Sequence, residues 1–147
     1  MKYSEESLQF LKNWYEELLS GRYEQIQRRM IDCTRQKFCC LGVFAKVNDP
    51  KYNTELIIDD YVETDLFSRF GFGENQWNQV EPIIDDYFIA NLSKLDNILI
   101  DAYHTAKTGW YKNLPSYIFA LLNDHYCKTF EEIGNIVKNI YEWGLTQ

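Results

Sequence analysis

Apolar side chains recur at intervals of three and four residues in several stretches of this chain, and this spacing constrains its fold more than any other feature. The clearest stretch covers residues 5–20, where Ser4 precedes the first turn as a helix cap and Gly21 follows the last turn. Its apolar positions are Leu8, Leu11, Trp14, Tyr15, Leu18 and Leu19. The 3.6-residue period predicts an amphipathic helix that buries this one face.

The same period predicts a long helix from Pro82 to about Gly109. Proline suits the first helical position because its missing N–H would have no helical partner there. The apolar positions of this helix are Ile84, Phe88, Leu92, Leu95, Leu99, Ala102 and Ala106. Ser93 marks a place where the helix is expected to kink or restart, because a serine hydroxyl competes for backbone hydrogen bonds.

Two further helices are expected near the end of the chain. One opens at Leu114-Pro115 and stops around residues 123–124. The other begins at Thr129-Phe130-Glu131-Glu132, which has the spacing of a capping box, and it ends before Gly144.

The most apolar run of the chain must be buried. It is Phe38-Cys39-Cys40-Leu41-Gly42-Val43-Phe44-Ala45. Its small residues favour a short helix because they let neighbouring helices approach, although eight residues do not distinguish a buried helix from a buried strand. Residues 22–37 predict a connection with one helical turn around residues 25–30, and residues 54–62 suit either a short strand or a helix start.

These patterns together predict a mainly α, compact single-domain fold of about five helices over residues 1–147, with one short β element near residues 54–62 as an open alternative. A length of 147 residues with 46% hydrophobic side chains suits one core and not two ordinary domains. No run approaches the roughly 20 apolar residues of a membrane helix, and residues 1–6 are charged where a signal peptide is apolar. We therefore expect a soluble cytoplasmic protein.

Charge is distributed unevenly along the chain. The net charge of −7 disfavours a general binder of nucleic acid or of anionic membranes. Residues 22–37, which we call the cationic segment, nevertheless combine five basic side chains with only two acidic ones, Glu24 and Asp32. The basic side chains are Arg22, Arg28, Arg29, Arg35 and Lys37.

The cationic segment is the candidate ligand site. Guanidinium groups bind phosphate oxygens in pairs, and a local positive cluster on an acidic protein favours small anions over long polyanions. The expected phosphate-binding residues are Arg28, Arg29, Arg35 and Lys37, with Trp14 and Tyr23 as stacking surfaces for a base. The alternative is a solvated loop with scattered ion pairs.

Catalytic and metal sites find weaker support. Asp101 with His104, or Asp124 with His125, has a spacing that allows a hydrogen-bonded acid–base pair, but such pairs are common on surfaces. The four cysteines contain no Cys-x-x-Cys pair, so a zinc site built from Cys33, Cys39, His125 and Cys127 is disfavoured. The acidic positions Asp59, Asp60, Glu63, Asp65, Asp85 and Asp86 suit a solvated face better than a Mg²⁺ site. We expect no catalytic residues, no metal and no cofactor.

Three segments in a fixed order carry a resemblance. They are Trp14-x-x-x-Leu18-x-Ser20-Gly21-x-Tyr23-x-Gln25, then Phe38-Cys39-Cys40-Leu41-Gly42-Val43-Phe44, then Leu122-Asn123-Asp124 followed by Thr129-Phe130-x-Glu132-Ile133. Together they resemble a family of small, largely uncharacterised proteins of tailed phages and prophages. This chain departs from the family pattern in three places. It lacks the glycine that usually follows Tyr-x-Gln, has Gly134 where alanine is common, and inserts the long helix of residues 82–113.

The resemblance implies a phage context and no particular reaction. Small soluble phage accessory proteins often act on host machinery, and some sequester the nucleotide signals of bacterial immunity. The leading expectation is therefore a non-enzymatic phage accessory protein in the host cytoplasm that binds a small phosphorylated molecule. The alternatives are a protein–protein inhibitor of a host factor and, less favoured, a small nucleotide hydrolase. We expect no long nucleic acid and no membrane as partner, and the 24 aromatic side chains leave a homo-oligomer open.

Overall fold

The computed structural model describes residues 2–28, 31–32, 37–50, 61–62, 73–109 and 114–147, with the backbone alone at 31–32, 61–62 and 114. Its helices are α1 (Glu5–Leu19), α2 (Cys40–Asn48), α3 (Glu74–Asn91), α4 (Asn97–Thr108), α5 (Leu114–Asp124) and α6 (Phe130–Leu145), with a 3-10 turn at Leu92–Lys94. Its strands are β1 (Glu24–Gln25), β2 (Ile31–Asp32), β3 (Lys37–Phe38) and β4 (Tyr61–Val62). The protein is mainly helical, as the sequence predicts.

The first and last helices begin at the caps that the sequence indicates. Ser4 accepts a hydrogen bond from the Ser7 N–H at 3.1 Å. At α6, Thr129 Oγ1 accepts from the Glu132 N–H at 3.2 Å, while Glu132 Oε1 accepts from the Thr129 N–H at 3.1 Å. This reciprocal capping box satisfies two N–H groups that the helix itself leaves unbonded. The predicted end of α6 is wrong, because Gly144 lies inside the helix.

The long helix predicted over 82–109 is instead two helices, and the first begins at Glu74. Pro82 therefore lies inside α3 and leaves the carbonyl of Asn78 without its helical donor. Both residues are exposed, so water can bind that carbonyl. The break expected at Ser93 is present as the 3-10 turn, and the cap of α4 is Asp96, which accepts from the Leu99 N–H at 2.9 Å.

A small sheet lies beside the helices and is built mainly from the cationic segment. The strand order is β1-β3-β2-β4, with β1 parallel to β3 and the other pairs antiparallel. The helical turn expected from Gln25 is wrong at Glu24–Gln25, because the Ile26 N–H bonds to the Phe38 carbonyl at 2.8 Å and extends the chain there. The short β element near 54–62 is present at Tyr61–Val62, while residues 51–60 lie outside the described residues.

The run 38–45 forms a helix from Cys40 onward, as predicted, with Phe38 in β3. Cys39 caps this helix through its sulfur, which accepts from the Gly42 N–H at 3.4 Å. A single hydrophobic core joins α2 to the other described helices. None of the described helices is long and apolar enough to span a bilayer.

Helix α1 crosses α6 at a close approach that a glycine allows. A Cβ atom at position 134 would lie 2.9 Å from two side-chain atoms of Leu19 and 3.2 Å from the Cβ of Leu18. Such distances are too short for carbon atoms in contact. The glycine at position 134 thus brings the end of α1 and the first turns of α6 together beside the sheet.

Candidate functional site

One buried amide attaches the cationic segment to the helical body. Asn123, in the last turn of α5, has no exposed surface. Its Oδ1 accepts from Gln25 Nε2 at 2.8 Å and from the Cys40 N–H at 3.1 Å. Its Nδ2 donates to the Ile26 carbonyl at 2.9 Å and to Asp124 Oδ1 at 2.8 Å. The amide therefore makes four hydrogen bonds, which satisfies both of its polar atoms.

The segments that carry the sequence resemblance meet at this amide. Trp14 Nε1 donates to the carbonyl of Cys40 at 2.8 Å, and the N–H of that same cysteine donates to Asn123. Gln25 also donates to the carbonyl of Lys128, immediately before the capping box, at 2.7 Å. These motif residues therefore hold the architecture together, and their positions do not by themselves indicate a ligand or a reaction.

Trp14 is a core residue, and its predicted role as a stacking surface is wrong. The indole has no exposed surface. The rings of Phe44, Trp77 and Phe119 pack edge-on around it, with centroid distances of 5.2, 5.5 and 4.8 Å. No ligand can reach a face of the indole without opening the core.

Tyr23 lies at the edge of the sheet and is half-buried. Its ring packs edge-on against Phe38, with 5.2 Å between the centroids. Burial, and then the negative charge of Glu17, raise the pKa of the Tyr23 phenol. The phenol therefore remains protonated at neutral pH, and part of the ring remains accessible.

Two of the cations in the segment have carboxylate partners. Arg22 pairs with Glu17 at the end of α1. Lys37 Nζ lies 3.5 Å from Glu24 Oε2, because the register of β1 and β3 places these two residues opposite each other. Ion pairs at a protein surface contribute little to stability, because water screens the charges. An anionic ligand could therefore replace the carboxylate of either pair at little cost in free energy.

Arg28 differs from the other described cations of the segment. It is exposed, and within the described residues its guanidinium has no ion-pair partner. Its backbone has φ of 66°, in the left-handed region, and its N–H donates to Asp124 Oδ1 at 2.9 Å. Arg28 lies three residues after the end of β1, whereas Lys37 pairs with Glu24 at the start of that strand. The two cations therefore lie at different ends of β1. Arg29 and Arg35 lie outside the described residues.

A groove of about 440 Å³ runs between the end of α1, strand β1 and the start of α6. Leu18, Leu19, Tyr23 and Phe130 supply its apolar surface, and Gln25, Thr129, Glu131 and Asn135 are among its polar lining residues. Leu19 is 38% exposed and lies at the surface of the groove. We call this feature the α1–α6 groove.

The two acid–base pairs that the sequence spacing allows, Asp101 with His104 and Asp124 with His125, are not formed among the described residues. Asp101 accepts a hydrogen bond from the phenol of Tyr126, which raises the pKa of that phenol. Asp124 is engaged by Asn123 and by the Arg28 N–H. The geometry therefore gives no support to a hydrolase built on His104 or His125.

Metal binding likewise finds no support in the part of the chain that is described, where no three His, Cys, Asp or Glu side chains are placed to share an ion. Cys39 and Cys40 are buried, whereas Cys127 is exposed. Cys33 and the acidic positions 59, 60, 63 and 65 lie outside the described residues. Asp85 and Asp86 line a surface hollow of about 350 Å³ on α3, beside Pro82.

Sequence reasoning missed the residues that attach the site to the body. Asn123 and Gln25 are both part of the motifs described above, but the sequence predicts no hydrogen-bond partner for either side chain. The signal that could have indicated a hydrogen-bonded role is the position of the amide, directly after the apolar residues Leu121 and Leu122 at the end of a helix.

Comparison with protein families gives one match: the model described as Domain of unknown function (DUF8296) matches residues 8–141. The matched range includes every residue of the network around Asn123 and the whole of the cationic segment. No curated protein and no solved structure matches the chain.

Proposed function

Because the chain belongs to the DUF8296 family, whose function is unknown, we propose from its own residues that it is a non-enzymatic binding protein for a small phosphorylated molecule. In this proposal it is a phage accessory protein of the bacterial cytoplasm that sequesters a nucleotide signal of host defence. The cationic segment is the binding surface. Arg28, Arg29, Arg35 and Lys37 bind the phosphate, and Tyr23 alone supplies the stacking face.

The observation that carries the proposal is the state of Arg28. Its guanidinium is exposed and lacks a carboxylate partner among the described residues, while its backbone is fixed to α5. An arginine fixed in this way loses less conformational entropy on binding an anion than one on a mobile loop. Arg29 follows it directly, so a second guanidinium is available within one residue.

The charge of the whole chain supports a small ligand over a long one. A net charge of −7 repels an extended polyanion, while five cations against two carboxylates in residues 22–37 attract a compact one. A nucleotide with one to three phosphates fits this balance.

Isothermal titration against cyclic nucleotides and ADP-ribose-type nucleotides tests the proposal. We expect one member of the panel to bind, and the double variant Arg28→Ala with Arg29→Ala to weaken that binding at least tenfold, or about 1.4 kcal/mol. The matched control is Lys107→Ala with Lys138→Ala, which removes two exposed cations elsewhere and should change the affinity less than twofold.

Three results would contradict the proposal. One is the absence of binding to any nucleotide in the panel. Another is equal loss of affinity in the test and control variants, since it would indicate a general charge effect. The third is turnover of the bound nucleotide, detected by mass spectrometry of the ligand released on denaturation, because a sequestering protein returns its ligand intact.

A second candidate function is inhibition of a host protein, and the α1–α6 groove is the observation that favours it. The groove combines the exposed Leu19 with the half-buried ring of Tyr23, over the buried Phe130, and aromatic side chains are enriched in protein interfaces.

Leu19→Asp tests this second function in a pull-down from host lysate followed by mass spectrometry. If a partner docks in the groove, the aspartate should abolish its recovery because a charge would be buried at the contact. Ile89→Asp is the control, since Ile89 is 61% exposed on α3, away from the groove. A complex that survives Leu19→Asp excludes the groove as its site.

A further inference from the structure

Arg28 has a backbone conformation that its own side chain disfavours. Its φ of 66° places it in the left-handed region, where residues other than glycine and asparagine are uncommon. Such a conformation persists where surrounding contacts hold it. The contact present is the hydrogen bond from the Arg28 N–H to Asp124 Oδ1, at 2.9 Å.

Asp124 stands where helix electrostatics disfavours it. It is the last residue of α5, and the C-terminal end of a helix carries partial negative charge that repels a carboxylate. Its Oδ1 also accepts from Asn123 Nδ2 at 2.8 Å. A continuous set of hydrogen bonds therefore runs from the buried amide of Asn123, through this carboxylate, to the backbone of Arg28.

From these two observations we infer that Asp124 is a positioning residue, which fixes the backbone of Arg28 and so presents its guanidinium to an anion. That Asp124 fixes the backbone of Arg28 follows from the geometry alone. That the guanidinium is thereby presented to an anion rests on the proposed function. The carboxylate itself is a cost to anion binding, since its negative charge lies close to the arginine. Asp124 therefore acts through its acceptor oxygen, which holds the Arg28 N–H, while its negative charge opposes the binding of an anion.

Two substitutions separate the oxygen from the charge. Asp124→Asn and Asp124→Ala both remove the negative charge, but only the asparagine keeps an Oδ1 acceptor for the Arg28 N–H. Any difference between the two variants therefore reports the hydrogen bond, with the electrostatic change cancelled.

The first measurement is amide hydrogen exchange of Arg28 by NMR in the ligand-free protein. We expect protection in the wild type and in Asp124→Asn, and exchange at least tenfold faster in Asp124→Ala. Exchange of the Ile26 amide, which bonds to the Phe38 carbonyl, is the internal control and should stay the same in all three proteins. Equal exchange of Arg28 in the wild type and in Asp124→Ala would overturn the inference.

The second measurement is binding of inorganic pyrophosphate by isothermal titration. We expect Asp124→Asn to bind at least as tightly as the wild type, and Asp124→Ala to bind about tenfold more weakly than Asp124→Asn. If Asp124→Ala loses protection of the Arg28 amide but binds pyrophosphate as tightly as Asp124→Asn, the backbone position of Arg28 does not affect anion binding, and that part of the inference is overturned. If the wild type binds neither pyrophosphate nor any nucleotide, the proposed function fails, and the exchange result still decides whether Asp124 positions Arg28.

Discussion

At the scale of single residues, an uncharged amide joins three elements of the fold. Asn123 connects β1, the start of α2 and the end of α5 with one hydrogen bond to each of four groups. Removing it leaves the buried Cys40 N–H and the half-buried Ile26 carbonyl without this partner, and an unsatisfied buried group costs about 1–3 kcal/mol. No other type of side chain has two acceptor sites and two donors in the same plane, except the longer glutamine.

Asn123→Asp should destabilise the protein in a pH-dependent way. The aspartate keeps the acceptor, but when ionised it cannot donate to the Ile26 carbonyl, and it repels Asp124. Burial and this repulsion raise the pKa of the new carboxyl in the folded state above its unfolded value. The loss of stability should therefore be full above the folded pKa and shrink as the pH falls through it, because the protonated acid can donate again.

Urea denaturation at several pH values measures this effect. We expect a loss of about 3 kcal/mol at pH 8 and a smaller loss at pH 5. Asn139→Asp is the control, since Asn139 is exposed on α6 and its substitution should change stability by less than about 0.5 kcal/mol at either pH. A pH-independent loss at position 123 would show that the amide acts by shape alone.

At the scale of secondary structure, the helices that the sequence predicts most accurately are those whose caps coincide with the apolar period. This holds for α1 and for the start of α6. The sequence predicts the start of α3 too late, at Pro82, because proline suits a first helical position, although Trp77 and Val80 already continue the apolar face upstream. A proline inside a helix is tolerated where the freed carbonyl faces water, as that of the exposed Asn78 does here.

The strands of the sheet could not be predicted from local sequence, for a different reason. Two-residue strands have no period to detect, and pairing between β1 and β3 joins residues 13 apart in the chain, such as Glu24 and Lys37. The same pairing brings Lys37 to the carboxylate of Glu24. The charges of the cationic segment can be read from the sequence, but its ion pairs depend on strand pairing and cannot. Trp14 illustrates the limit for the site: the period that placed it in the core was correct, and its second assignment to ligand stacking was not.

At the scale of the whole molecule, the helices enclose one apolar interior that contains two adjacent thiols. Burial raises the pKa of Cys39 to about 12, and burial also raises the pKa of Cys40 well above its usual value. Both thiols therefore remain protonated and out of contact with solvent at neutral pH. Cys127, in contrast, is exposed in the connection before α6.

Alkylation by iodoacetamide should separate these cysteines by their depth. In the native protein at pH 8 we expect rapid modification of Cys127 and no modification of Cys39 or Cys40 over the same period, because the thiolate is the reactive form. In urea above the unfolding midpoint all three should react at similar rates. Peptide mapping by mass spectrometry identifies the modified residues, and native-state labelling of Cys40 would contradict the described core.

The attachment of the cationic segment through Asn123 divides the chain into a part that must be kept and a part that is free to change. Among the described residues, Asn123 forms hydrogen bonds with Gln25, with the backbone of Ile26 and Cys40, and with the neighbouring Asp124. The guanidinium of Arg28 takes part in none of these four hydrogen bonds, so replacing that side chain leaves the bonds of Asn123 in place. In such an arrangement an exposed side chain can change in evolution while the hydrogen-bonded scaffold beneath it is inherited.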